Sequence, residues 1–298
     1  YQQTCAAEKR RRRKRGAMVD PARHVVINEA VCEGCGDCSV ASNCLSVEPL
    51  ETPLGRKRRI NLSSCNKDFT CLDGFCPSFV TIEGDRLATA ASMPDFSAAI
   101  ATLPDPSPPV IHDAYDIIVT GVGGTGVVTV GAVLSMAAHL DGTATSLLNF
   151  SGLAQKFGAV MSFIRLAASP DQLNQTRIAS GAADALIGCD AVVSASPTAM
   201  ATYRQGTRTV INLAEMTTGQ IVSSRDLDLQ IDDRLAAIAL ATGSDGINGF
   251  NANYVAEAAL GDVVYANIMM LGAAWQNGAV PVSIEAIFRA IKLNGVKP

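Results

Sequence analysis

"YDIIVTGVGGTGVVTVGAVLSMAAHLDG", Tyr115–Gly142, decides how the larger part of this 298-residue chain folds. A β-rich run from Tyr115 to Thr120 enters Gly121-x-Gly123-Gly124-Thr125-Gly126, and an apolar segment of helical length follows. Strand, glycine turn and helix in that order open a doubly wound α/β domain. Glycines at such a turn let backbone N–H groups approach an anion, and the helix start behind them favours negative charge. Gly121, Gly123, Gly124, Thr125 and Gly126 are therefore candidate phosphate contacts, although the same glycines would also serve close strand–helix packing. A nicotinamide dinucleotide would require an acid at the end of the next strand. That strand reads "ATSLLNFSG" and ends in Asn149 and Ser151, with no carboxylate; Asp141 falls earlier, at the helix end.

Downstream, "AVVSAS" (Ala191–Ser196) and "RTVINLA" (Arg208–Ala214) read as further strands. "DDRLAAIALATG", "NYVAEAAL", "YANIMMLGAAWQNG" and "SIEAIFRAI" read as helices. The alternation predicts a parallel, doubly wound sheet. Upstream, "ASMPDFSAAIATLPDPSPPVIHD" holds Pro94, Pro104, Pro106, Pro108 and Pro109 and predicts an extended linker. Charge shifts across it. Residues 1–86 carry 14 Lys and Arg against 11 Asp and Glu, and the rest 10 against 17, for a net charge of −4.

Seven of the nine cysteines, Cys32 to Cys76, lie ahead of the linker; Cys5 is in the tail, and Cys189 reads as a buried small thiol. The composition, 48% hydrophobic with 25 glycines, suits a soluble α/β protein. No apolar stretch is long enough to span a bilayer, and no apolar segment follows the basic run as in a secretory signal. The reducing cytosol is the expected compartment, and clustered cysteines there bind metal more often than they pair.

Cys32, Cys35 and Cys38 form C-x2-C-x2-C with Gly34 and Gly36 between them, which suits three thiolates on one face of a cubane cluster. Zinc ribbons use two distant C-x2-C knuckles instead. A ferredoxin run would continue to a Cys-Pro. Cys44 lacks the proline, and Cys76-Pro77 supplies it. In two-cluster ferredoxins the Cys-Pro of one run completes the cluster of the other, so Cys32, Cys35, Cys38 and Cys76 would hold one [4Fe–4S] cluster. Cys44, Cys65 and Cys71 remain. They hold a second cluster with a non-cysteine fourth ligand, or a three-iron form, or are ordinary thiols beside a single cluster. "HVVIN" before the first run and "FVTIE" after Cys76 read as paired strands flanking the cluster loops.

The basic run Lys9–Arg15 has no aromatic stacking platform or groove-reading motif with it, which argues against nucleic-acid binding. His112 and His139 read as incidental, and His24 as a strand-edge residue or a spare ligand. Gln155, Lys156 and Arg165, in or just after "GLAQKFGAV", are either ligand contacts or loop braces.

"QTCAAEKRRRRKRG", "CEGCGDCS", "SNCLSVEP", "GRKRRIN", "SSCNKDF", "GFCPSFVT", "TGVGGTGVVT" and "GLAQK" together resemble the fused indolepyruvate:ferredoxin oxidoreductases, of the thiamine-dependent 2-oxoacid:ferredoxin oxidoreductase superfamily. The resemblance implies that 1–23 end a thiamine-diphosphate domain lying outside this chain, and that 24–92 form a ferredoxin-like Fe–S domain. It further implies that 93–110 are a linker and 111–298 a γ-type α/β domain associated with coenzyme A. Phe157 departs from the family pattern, where a glycine is expected. No Gly-Asp-Gly segment followed by an Asn occurs to hold Mg²⁺ and thiamine diphosphate. The chain thus reads as part of a longer enzyme, inactive alone, homo-oligomeric when complete, with ferredoxin as electron acceptor and no membrane partner. The other readings are an Fe–S electron carrier with an NAD-binding Rossmann-like domain, and a zinc-bearing nucleic-acid module.

Overall fold

The computed structural model describes residues 4, 6–84, 95–151, 158–216, 224, 227–243 and 247–295. The chain divides into two compact units, Tyr1–Ala91 with Thr217–Asp228, and Ser92–Met216 with Leu229–Pro298.

The first unit contains α1 (Ala6–Lys14), β1 (Arg23–Ile27), α2 (Asp37–Ser42), β2 (Val47–Thr52), β3 (Gly55–Ile60) and β4 (Phe79–Glu83). β1 pairs antiparallel with β4, so "HVVIN" and "FVTIE" are partners, and β2 pairs with β3 through a tight turn. Opposite charges face each other across that hairpin, Glu48 against Arg59 and Glu51 against Arg56. Exposed pairs of this kind contribute about 0–1 kcal/mol each. The buried apolar side chains among the described residues of this unit are Val25, Cys32 and Val47. That is a very small hydrophobic core, and domains so poor in core are commonly stapled by disulfides or metal.

The second unit contains α3 (Ser97–Ile100), β5 (Ala114–Val122), α4 (Val127–Leu140), β6 (Ala144–Ser151), β7 (Ala159–Ala167), β8 (Ala185–Gly188), α5 (Ala191–Ser194), α6 (Pro197–Met200) and β9 (Arg208–Asn212). It continues with α7 (Ile231–Thr242), β10 (Asn248–Phe250), α8 (Ala252–Leu260), α9 (Ala266–Gln276) and α10 (Ile284–Asn294). One six-stranded sheet has the order β10-β9-β8-β5-β7-β6. Ile117 and Val119 of β5 face a core shared with α4, α9 and α10, while Ile118 and Val122 face the other, shared with α5, α6 and α7. Helices therefore cover both faces, as a doubly wound domain requires.

The sheet is mixed, not parallel throughout. β5, β8, β9 and β10 run parallel, but β7 lies antiparallel between β5 and β6. The strand after α4 is thus at the sheet edge, separated from β5 by β7. Strand–helix alternation is blind to this insertion, because a hairpin return and a crossover start from the same apolar run. "AVVSAS" also departs from expectation: the strand is "ALIG", and Ala191–Ser194 are helical. The Asp190 carboxylate accepts the Val193 N–H at 2.7 Å, and this N-cap overrides the β preference of two adjacent valines.

Gly121, the last residue but one of β5, is glycine for a packing reason. A Cβ there would meet Val127 Cγ2 at 2.7 Å and Cys189 Cβ at 2.9 Å. Gly121→Ala should therefore destabilise the second unit by about 1–3 kcal/mol through overpacking. Combined with Val127→Ala the losses should sum to less than the separate costs, because the clash is shared. Urea denaturation of the four proteins checks this, and simple additivity would contradict it.

Candidate functional site

Two places in the chain gather chemistry-bearing groups. In the first unit Cys32, Cys35, Cys38 and Cys76 line one cavity of about 760 Å³, and Cys71 reaches its wall. The loop that carries the first three curls through Gly34 (φ 75°) and Gly36 (φ 76°), both left-handed. Glycine is obligatory at 34, since any Cβ would collide with the Arg56 carbonyl oxygen. Gly34 gives its N–H to the Cys32 sulfur at 3.4 Å, and Lys57 Nζ donates to the Cys32 carbonyl at 2.7 Å. Arg58 is buried to 2% and lines the same cavity. A guanidinium held there favours an anionic occupant.

The remaining thiols form a second group. Cys44 and Cys65 act electrostatically on Cys71, and Cys44 on Cys65, whereas Cys38 feels Cys32 and Cys35. Burial pushes the Cys71 thiol up to about 11, and the neighbouring thiolates push the same way. Burial also raises Cys38 and Cys65. Thiols so placed resist ionisation until a metal centre inverts the local field. A tetrahedral zinc at about 2.3 Å per bond draws its sulfurs to within about 4 Å of one another. Among the described residues no three His, Cys, Asp or Glu are grouped for a single ion. Each described cysteine is a free thiol. The donor set, the left-handed loops, the buried arginine and the meagre core fit a cluster bound by thiolates.

α1 turns the basic run into a brace. Arg10 donates to the Ser64 carbonyl at 2.6 Å, and Arg13 to that of Asn66, so the two guanidinium groups hold the residues on either side of Cys65 in sequence. His24 is buried in β1 to 8% exposure, with both ring nitrogens lacking hydrogen-bond partners among the described residues. Burial and then the Lys67 ammonium hold its pKa below the usual imidazole range.

The second place is the glycine turn after β5. The chain leaves β5 toward β6 on one side of the sheet and returns to β8 on the other, so the turn stands at the topological switch point, where such folds bind ligands. Gly121 and Gly123 are committed to packing: the Gly123 N–H goes to the Gly158 carbonyl at 2.7 Å, and a Cβ at 123 would press on that oxygen. Gly124 (φ 86°) and Gly126 (φ 106°) instead combine left-handed backbone with open space where a Cβ would stand. Gly126 starts α4 without a side-chain cap, leaving the positive helix end bare. Thr125 spends its hydroxyl on the Val122 carbonyl at 2.7 Å.

Buried Asn267, which sequence reasoning missed, braces the turn by donating to Thr125 O at 3.1 Å and Thr125 Oγ1 at 3.0 Å. An asparagine inside an otherwise apolar helix was the signal. A hollow of about 90 Å³ lies beside Thr125, Gly126 and Asn267. Ligand pockets usually exceed about 300 Å³, so it would admit only part of a nucleotide.

Arg165 does not join this turn. It pairs across the sheet with Asp116, five residues before Gly121 and so roughly 17 Å along β5. Its Nη1 stands 3.3 Å from Asp116 Oδ2. Gln155, Lys156 and Phe157 lie outside the described residues. Asp141 accepts from the Ser283 N–H at 2.6 Å and hydroxyl at 2.7 Å, tying the end of α4 to the start of α10. Asn149 accepts from the Ser162 hydroxyl at 2.6 Å. Cys189 is buried, as expected.

Residues 116–295 match the family model described as pyruvate ferredoxin/flavodoxin oxidoreductase. The chain is similar to the indolepyruvate oxidoreductase subunit IorB of Methanothermobacter thermautotrophicus, 24% identical over 180 residues, 60% of this chain and 87% of that one. It is also similar to the subunit of the same name from Pyrococcus horikoshii, 24% identical over 196 residues, 60% of this chain and 86% of the other. Among solved structures, the pyruvate oxidoreductase subunit PORC of Thermotoga maritima is 18% identical, covering 61% of this chain and 85% of its own, with a TM-score of 0.45.

The Asp116–Arg165 pair generates a pH prediction. Burial raises the Asp116 carboxyl to about 6, outweighing the guanidinium that lowers it. Asp116 Oδ1 has no hydrogen-bond partner among the described residues, which fits that order of effects. The unfolded chain releases the same proton near about 3.9. Between those values the native state binds more protons, so stability falls as pH rises from about 4 to about 6 and then levels. Asp116→Asn should flatten that slope in urea midpoints measured from pH 4 to 7; a slope as steep as before would exclude Asp116 as its source.

Proposed function

The chain belongs to the pyruvate ferredoxin/flavodoxin oxidoreductase family, and on that premise we propose that it is the electron-transfer and coenzyme A-side portion of an indolepyruvate:ferredoxin oxidoreductase. Such an enzyme breaks the bond between the carboxylate and the 2-oxo carbon of an aryl 2-oxo acid and releases CO2. The acyl group passes to the sulfur of coenzyme A, and two electrons leave singly for ferredoxin. Thiamine diphosphate and Mg²⁺ would belong to partner domains outside this chain, in a cytosolic homo-oligomer.

The observation that carries the electron-transfer role is the cavity lined by Cys32, Cys35, Cys38 and Cys76, with buried Arg58 in its wall. A bound [4Fe–4S] cluster would supply one-electron chemistry there. The chain's own part is to hold the thiolates in place, through the left-handed curl and the Lys57 bond to the Cys32 carbonyl. Cys44, Cys65 and Cys71 would hold a second cluster. Cys35→Ser should cost anaerobically purified protein its first cluster, about half of the visible chromophore and iron, whereas Cys44→Ser should leave that cluster in place. Iron retained in full by Cys35→Ser would refute the assignment.

Coenzyme A would bind at the glycine turn, its diphosphate against Gly124, Gly126 and the start of α4, with Gln155 as a further contact. Asn149, being uncharged, would spare the 3′-phosphate the repulsion of a carboxylate. Gly124→Asp adds a negative side chain in open space and should weaken coenzyme A at least about tenfold, or roughly 1.4 kcal/mol. Calorimetry with coenzyme A and NAD on both proteins tests this; coenzyme A binding indifferent to the change, or tighter NAD binding, would count against the site.

A further inference from the structure

The two cysteine loops of the first unit are copies of one backbone design. Cys32-x2-Cys35-x2-Cys38 in the first corresponds to Cys65-x2-Asp68-x2-Cys71 in the second. The third and fifth residues are left-handed in both: Gly34 and Gly36 at φ 75° and 76°, Lys67 and Phe69 at 50° and 63°. The N–H of the third residue reaches the first sulfur in both, Gly34 to Cys32 at 3.4 Å and Lys67 to Cys65 at 3.3 Å. Each first cysteine gives its own N–H to an asparagine carbonyl, Cys32 to Asn28 at 2.9 Å and Cys65 to Asn61 at 3.0 Å. After each loop comes a helical turn, α2 in one case and the 3-10 turn Thr70–Leu72 in the other. A further cysteine then bonds through its carbonyl to the N–H three residues on, Cys44 to Val47 and Cys76 to Phe79, both at 3.3 Å. The fourth residue of each loop is exposed, Cys35 in one and Asp68 in the other.

The second loop keeps this shape without glycine. Left-handed backbone is unfavourable for a residue with a Cβ. The Lys67 ammonium is held by Asp20 at 2.8 Å and the Pro21 carbonyl at 3.1 Å, and Phe69 lies under the Arg23 guanidinium at 5.0 Å. Strain maintained by tertiary contacts is found where a site needs it.

We propose that Asp68 is the fourth ligand of a second [4Fe–4S] cluster, its carboxylate standing with the thiolates of Cys44, Cys65 and Cys71 where Cys35 stands in the first loop. The proposal rests on the cluster reading of this unit and fills the position that three cysteines leave open. Asp68 stands three residues from each of Cys65 and Cys71, midway in the loop that joins them. Asp68 Oδ1 also accepts from Thr70, N–H at 3.4 Å and hydroxyl at 3.2 Å. That turn orients the carboxylate at the head of the helical turn, and a carboxylate has lone pairs enough for both duties. An oxygen ligand is harder than thiolate, so the iron it holds is the one most readily lost.

The test uses the full chain, purified and reconstituted anaerobically, with iron and sulfide analysis and EPR before and after reduction. The unmutated chain and Asp68→Cys should each hold about eight irons. Asp68→Asn keeps the turn to Thr70 but offers a poor ligand; it should hold about seven irons and show a three-iron signal when oxidised. His24→Ala should match the unmutated chain. Eight irons retained by Asp68→Asn, a three-iron centre already present in the fully reconstituted unmutated chain, or iron lost from His24→Ala alone would each overturn the proposal. Protein holding zinc or no iron at all would overturn the cluster reading beneath it, a distinct result.

Discussion

The first unit has almost nothing but its cysteines to fold around. Val25, Cys32 and Val47 are its buried apolar side chains among the described residues, and two short strand pairs surround them. Its ordered features follow from that shortage. The loops curl through left-handed residues to turn sulfur inward, β3 lends its backbone and Lys57 to the first loop, and α1 clamps the second with two arginines. Burial raises the pKa of Cys65 and Cys71 and keeps these thiols protonated, and a bound metal centre would deprotonate them and supply the cross-links that the small core lacks.

The second unit meets the opposite condition. β5 is buried on both faces, so its residues alternate between two full cores, and the chain can turn toward solvent only where the strand ends. The glycines there divide the work. Gly121 and Gly123 let β5, β8 and the segment before β7 approach, while Gly124 and Gly126 bare the backbone at the start of α4. The packing reading of this motif therefore belongs to Gly121 and Gly123, and the phosphate reading has only Gly124 and Gly126 left to it.

Electrostatics separates groups that sequence neighbourhood suggested belonged together. Arg165 follows "GLAQKFGAV" in sequence, yet an antiparallel strand carries it to the other end of β5, where it serves Asp116. Asp141, set aside as a ribose ligand because it precedes the strand, is a helix-end staple to Ser283. Both side chains are engaged by neighbours remote in sequence, which no spacing rule can anticipate.

The α/β class, the strand–glycine–helix opening of the second unit, its four longer C-terminal helices and the pairing of the two strands that flank the cysteine loops are all legible in the residues alone. These follow from local chemistry: apolar periodicity, glycine at a strand end, and caps. That β7 lies between β5 and β6 emerges from the assembled sheet, because antiparallel and parallel partners draw on the same apolar runs. The folded chain likewise makes Ala191–Ser194 helical, through the Asp190 cap, and brings Asn267 to brace the glycine turn. The equivalence of Asp68 with Cys35 needed the folded chain too. In sequence Lys67 and Phe69 look nothing like the glycines they replace, and the likeness lies in a backbone conformation that Asp20, Pro21 and Arg23 hold from outside the loop.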